Sequence, residues 1–237
     1  MTRRASILFS CVFACLAAPL LSPLGAQVGY PPSKSPYEDL RGRHVVSIAP
    51  GMFVTGGDPA GVAPRSGLMI SGRYEYLLTG PLWLVTRAAY SPGLDRTVKD
   101  PEGVPAARIV GTDTDPLFLL DAGFGLNLAG NKSWKRLAPR VTGSLGMVST
   151  FNSSYDLGGY RFGTKLIVSY GVGTRIVTGS KWEMSADITQ MFWKMKYPDN
   201  YGGDGSATDR SILGSGKLGP WKGNLLLSVG ISHYFFR

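Results

Sequence analysis

"GNLLLSVGISHYFFR", residues 223–237, decides the fold: its apolar residues alternate with small or polar ones at a period of two, the mark of a β-strand with two unlike faces. Leu225, Leu227, Val229, Ile231 and Phe235 share one face, while Ser228, Gly230 and Ser232 share the other. Water outside such a strand means a soluble barrel or sandwich, whereas lipid outside means a membrane protein. The end of the stretch admits two frames, because Tyr234 and Phe236 fall one residue out of step with Phe235, and a one-residue slip reverses every side chain. The longer aliphatic run favours Phe235 as the outward aromatic.

Working outward, the whole chain is poor in charge and rich in glycine, with 17% charged residues and 32 Gly among 237. Residues 1–26 carry Arg3 and Arg4, an apolar run and a small-residue ending at Gly25-Ala26, the layout of a secretory signal peptide, so the mature chain is expected to start near Gln27. Both cysteines, Cys11 and Cys15, fall inside that segment; Phe13 and the apolar stretch after Cys15 argue against lipid attachment there. A mature chain starting at Gln27 has no thiol for a disulfide or a metal. Loss of Arg3 and Arg4 lowers the formal net charge from +9 to +7, an excess that suits anionic lipid headgroups or lipopolysaccharide phosphates, or merely solvates loops. Beyond residue 26 no apolar run reaches the roughly 18 residues of a spanning helix. Only a closed barrel then satisfies every backbone group inside a bilayer.

Residues 27–43 are Pro-rich and read as a periplasmic lead-in, and residues 44–237 as a transmembrane β-barrel domain. The period of two predicts eight strands at 44–55, 66–78, 82–91, 116–129, 137–150, 164–178, 182–196 and 222–236. Each is long enough for the roughly 9–11 residues that a tilted strand needs. Thr79-Gly80-Pro81, 130–136 and 179–181 read as short turns; 56–65, 92–115, 151–163 and 197–221 read as long loops. This alternation, with an even strand count, is that of an antiparallel up-and-down transmembrane barrel. Apolar faces such as Leu68, Ile70, Tyr74, Tyr76 and Leu78 oppose Ser71, Arg73 and Glu75. The polar faces carry mostly Gly, Ser, Thr and Ala, which fits a cramped interior rather than a water-facing exterior. Tyr76, Tyr90, Trp182, Phe192 and Phe235 are the expected lipid-interface aromatics.

The inward faces gather Arg73, Arg87, Arg140, Lys165 and Arg175 against Glu75, Asp121, Glu183 and Asp187. An unpaired buried charge costs several kcal/mol, so these nine groups are expected to form one paired lumen network. Such a network is either a structural plug or the gate of a narrow pore.

Signal segment, strand count, loop alternation and the terminal "SHYFF" together resemble the small eight-stranded outer-membrane barrels of Gram-negative bacteria, the group of the barrel domains of outer membrane proteins A, X and W. The resemblance covers residues ~44–237 and is one of pattern rather than motif. It implies location in the outer membrane, contact with its lipid and lipopolysaccharide, and insertion by the barrel-assembly machinery, which reads an aromatic-ended last strand. Arg237 departs from the usual terminal Phe and leaves the recognition register open between Phe235 and Phe236.

Catalysis of acyl or peptidyl transfer needs a general base within reach of its nucleophile. The two histidines, His44 and His233, both fall at strand positions near the short-turn rim, so no enzyme is expected. No metal or other cofactor is expected either. The acidic pieces "GTDTDP" (111–116) and "NYGGDGSATD" (200–209) lack the spacing of a calcium loop and read as solvated turns. No helix follows the glycine-rich stretches, and no nucleic-acid partner is expected. The reading is a structural or surface-interaction protein with a surface ligand unspecified; the alternative is a narrow channel for ions or small solutes.

Overall fold

The computed structural model describes residues 35–40, 42–151, 156–178, 181–206 and 209–235. The expected signal segment, most of the lead-in, Phe236 and Arg237 lie outside them. Every element below belongs to the unit Pro36–Arg237. Its strands are β1 Tyr37–Asp39, β2 His44–Thr55, β3 Gly67–Thr79, β4 Leu82–Lys99, β5 Ile109–Asn127, β6 Lys132–Trp134, β7 Leu137–Ser149, β8 Thr164–Val177, β9 Trp182–Lys194 and β10 Trp221–Phe235.

Eight of them close on themselves in the order β2, β3, β4, β5, β7, β8, β9, β10, every pair antiparallel. The seam runs from Phe235 opposite His44 to Asn224 opposite Thr55. Closure gives the wall strands partners on both sides, which a bilayer demands. The described part of the lead-in adds a small ribbon: β1 pairs with β6, Tyr37 opposite Trp134.

The strand bounds differ from the sequence expectation most at β4 and β5. Residues 92–115, expected as a loop, are largely a continuation of this hairpin, with Asp95 opposite Thr114 and Thr97 opposite Thr112. The irregularity between Ser91 and Leu94 holds Pro92 and Gly93, which read as loop-forming but here mark a bulge. Beyond it Thr97, Val98, Thr112 and Thr114 supply the β-branched residues that carry the ladder on.

The outer wall is apolar. Leu68, Leu145, Leu166 and Val229 are 76%, 60%, 68% and 58% exposed, a surface that water alone would not favour. Tyr90, Trp182 and Phe235 are exposed and Tyr76 and Phe192 half-buried; Tyr76, Trp182 and Phe235 stand towards the short-turn end, Tyr90 and Phe192 towards the other. Phe235 is 42% exposed while Tyr234 is buried, so the aliphatic frame holds to the end of the strand.

Inside, three levels follow one another. At the short-turn end Val45, Trp83, Val85, Ala138, Val177 and Tyr234 pack with Leu40 from the lead-in. The middle is charged. At the long-loop end the wall residues Phe53, Leu94, Leu117, Leu119, Ile167 and Trp193 pack with Ala60, Val62, Tyr160, Phe162, Tyr197 and Tyr201 from the loops. Each large apolar side chain so buried contributes about 1.5–3 kcal/mol relative to exposure. The small, polar interior expected from the sequence is therefore interrupted by an apolar cluster at each end, with buried Lys165, Lys222 and Asn224 beside the one at the long-loop end. Inward apolar residues stopper both ends.

Candidate functional site

The middle level is built where β3, β4, β5, β7, β8, β9 and β10 each turn one or two polar residues inward. Arg73 and Glu75 on β3 share a face because they are two apart, and β7 opposite supplies Arg140. Arg140 Nη1 donates to Glu75 Oε1 at 2.6 Å, its Nη2 to both Asp187 carboxylate oxygens at 2.9 Å, and its Nε to Asp187 Oδ1 at 3.2 Å. This fork geometry suits a guanidinium and no other cation. Arg73 Nη1 also reaches Asp187 at 3.2 Å and Glu75 at 3.4 Å. Arg175 approaches Glu75 at 3.7 Å and stacks over the Trp83 ring at 4.6 Å. It donates to the Tyr234 hydroxyl at 3.2 Å, which in turn donates to Glu183 at 2.7 Å. In the sequence Tyr234 stands out only as part of the terminal aromatic signal, yet it links two members of the network.

Arg87 and Asp121 form a cross-strand pair between β4 and β5. Arg87 also donates to Thr189 at 3.1 Å. Four guanidiniums (Arg73, Arg87, Arg140, Arg175) thus face four carboxylates (Glu75, Asp121, Glu183, Asp187), and all eight side chains are buried or nearly so. Gly173 makes room for the arrangement, since a Cβ there would fall on the Asp187 carboxylate. Charge balance is what makes the burial of eight ions tolerable.

Lys165 does not join them. Its ammonium lies 4.8 Å from the centroid of the Phe162 ring, and it has no ion pair among the described residues. The reason is height: Lys165 and Arg175 share a face of β8 but stand ten residues apart, about 33 Å of strand. The period of two assigns a face and says nothing of level.

The long-loop end holds a second cluster that the sequence reading missed. Arg96, on the hairpin extension and 1% exposed, donates to Asp115 at 2.6 Å, to Asp113 at 2.9 Å and to Asp156 from the loop that follows β7. The "GTDTDP" aspartates are therefore strand residues clamped on an arginine, not solvated turn residues. Asp58 plays the equivalent part in the loop after β2: it accepts from the backbone N–H of Ala60 at 3.1 Å and of Ala63 at 2.6 Å, and from the Tyr197 hydroxyl. Burial first, then the Asp58 carboxylate, push the Tyr197 phenol well above its ordinary value, and burial pushes Tyr201 up to about 12. In "NYGGDGSATD", Asp209 accepts from the N–H of Gly205 and of Ser211, the hydrogen bonding of a turn.

His44 hydrogen-bonds the Tyr74 hydroxyl at 2.7 Å, and His233 lies edge-on to both Trp182 and Phe235, with centroids 4.5 and 4.6 Å away. Both are at the short-turn rim.

A closed eight-strand antiparallel ladder, short turns at one end, an apolar wall and a balanced ionic core define a small eight-stranded β-barrel of the transmembrane class. No protein-family model matches the chain and no curated protein matches it. Among solved structures it is similar to the Neisserial surface protein A, at 12% identity and a TM-score of 0.45, over 85% of this chain and 98% of that one. It is also similar to Ail of Yersinia pestis, at 14% and 0.38 over 81% and 99%, and to a major outer membrane protein of Thermus thermophilus, at 12% and 0.44 over 81% and 99%.

Proposed function

We propose that this chain is an integral outer-membrane protein whose barrel is closed to solutes, with a structural or surface-interaction role carried by its long-loop end. One observation carries this reading: the balanced layer of four arginines and four carboxylates lies between two apolar levels, so an ion crossing the lumen would have to leave water twice. In this reading the chain is not an enzyme. Supporting that, His44 and His233 are engaged with rim aromatics at the end opposite the long loops. Its partners are outer-membrane lipid and lipopolysaccharide around the wall, the barrel-assembly machinery during insertion, and a surface ligand at the loops; nucleic acid is not among them.

The test is reconstitution of the purified barrel in a planar bilayer. Absence of steady conductance is expected. Stable, charge-selective openings abolished by Arg140→Ala would establish the narrow-channel alternative instead. Location is checked separately on a detergent gel, where heated and unheated samples should migrate differently; a water-soluble species lacking that shift refutes the membrane reading.

A further inference from the structure

The barrel wall is not paired to the same height all round. The β8–β9 ladder stops at Ile167 opposite Trp193. Above that level β8 stays with β7 as far as Thr164 opposite Ser149, and Thr150 N still donates to Gly163 O at 3.3 Å. Meanwhile β9 stays with β10 as far as Lys194 opposite Trp221, and the N–H groups of Met195 and Tyr197 go on to Pro220 and Leu218 at 2.8 Å. The two strands therefore part, and a notch opens between them. Gly163, at a φ of +64°, is where the chain turns into β8 on one side of it.

The notch is a pocket of about 530 Å³, lined by Arg161, Thr164, Lys196 and Tyr197 together with Gly159 and Gly163. The charged side chains in this lining are both positive, and both are accessible from outside. Arg161 Nη2 donates to Phe151 O at 3.5 Å, which holds the guanidinium at the loop edge. Directly behind, Lys165 turns inward without a carboxylate partner among the described residues, and it repels Lys196. Like charges gathered at one notch are stabilised by an anion placed among them.

The level of the notch says which anion. Just below it Tyr170 stacks on Phe192 at 5.9 Å, the aromatic level of this rim. Lys196 lies four residues beyond Phe192, about 13 Å at extended spacing, which is headgroup rather than hydrocarbon depth. Beneath the notch the outer face of β8 presents Leu166 and Val168, 68% and 38% exposed. A charged pocket above an apolar stripe is complementary to an anionic amphiphile.

We propose that the β8–β9 notch binds a phosphate carried on an outer-leaflet lipid headgroup, with Arg161 and Lys196 contacting the phosphate, Lys165 behind it, and acyl chains laid along Leu166 and Val168. This rests on the outer-membrane reading above and adds to it a named lipid site.

The test measures binding of the purified, refolded chain in neutral detergent to three probes: bisphosphorylated lipid A, the same lipid with its phosphates removed, and inorganic pyrophosphate. The wild type should prefer the phosphorylated lipid by at least tenfold, about 1.4 kcal/mol. The Arg161→Gln/Lys196→Gln variant should lose that preference. Lys132→Gln/Lys135→Gln, which removes the same net charge at the short-turn end, should keep it. Equal binding of the two lipids by the wild type, or a preference that survives in the Arg161→Gln/Lys196→Gln variant, overturns the site. Pyrophosphate bound as tightly as the lipid overturns the lipid source. If the double variant does not fold, the wild-type comparison of the two lipids and the single Lys196→Gln variant decide. A heat-modifiable, non-conducting barrel indifferent to phosphate sinks this site alone, whereas loss of the heat shift in the wild type sinks the membrane reading beneath it.

Discussion

Replacing Arg140 by Met should be among the most damaging single changes in the barrel. The guanidinium supplies four hydrogen bonds, three of them to Asp187 and one to Glu75. Without it, four carboxylates face three arginines, and the nearest remaining cation to Asp187 is Arg73 at 3.2 Å. Breaking a buried ion pair by removing one partner costs about 3–5 kcal/mol, because the other charge stays desolvated. For a denaturant slope near 2 kcal/mol per molar, that is a fall in the urea midpoint of about 2 M. The assay is urea unfolding of the barrel in lipid vesicles, followed by the mobility difference between folded and unfolded forms. A second variant, Arg140→Met with Asp187→Asn, leaves three cations against three anions. It should be more stable than Arg140→Met alone, with a coupling of about 1–3 kcal/mol between the two sites. A loss below about 1 kcal/mol for Arg140→Met, or a double variant worse than the single by the full cost of Asp187→Asn, would show that the layer is not held by charge balance.

Two further outcomes concern the loops. Arg96→Met removes the group that holds Asp156 to the hairpin extension, so the segment around Asp156 should become cleavable by protease while the heat-dependent mobility shift of the barrel is kept; unchanged resistance would mean that Tyr160 and Phe162 alone hold it. The loop tyrosines set an alkaline limit. A raised phenol pKa means that the neutral form is favoured in the packed state, so its contribution is complete below pH 10, the ordinary value, and is lost as pH rises from 10 towards about 12 at Tyr201. Phenolate absorbance should show a late-ionising fraction of the 11 tyrosines, and protease sensitivity of residues 195–220 should rise in the same window; a single titration near pH 10 would refute the packing.

How much of this was legible in the sequence follows from what a period of two encodes. It encodes side, and the eight wall strands and their inward charges are readable for that reason. Level along the strand is not encoded, which is why Lys165 reads as a companion of Arg175 when it belongs to the opposite end of the lumen. Nor does alternation show where both faces turn apolar. "PLFLLD" at 116–121 and "MFW" at 191–193 put Phe118, Leu120 and Phe192 outside and Leu117, Leu119, Met191 and Trp193 inside. The continuous apolar run was the available signal of a stoppered lumen. The Arg96 cluster was hidden differently, since its three acids come from a hairpin that reads as loop and from a loop some 40 residues further on.

These two blind spots bear on function in the same way. An inward apolar run at the long-loop end needs a lid, and the loops supply one by burying Ala60, Val62, Tyr160, Phe162, Tyr197 and Tyr201 rather than extending them into solvent. Clamping by Asp58 and by the Arg96 cluster then fixes that lid to the wall. Loops pinned in this manner are poor candidates for a gate, because opening would expose a packed aromatic cluster and strand Arg96 among its carboxylates at once. They are better suited to presenting a fixed outer surface, beside which the parting of β8 from β9 leaves Arg161 and Lys196 exposed at the long-loop rim.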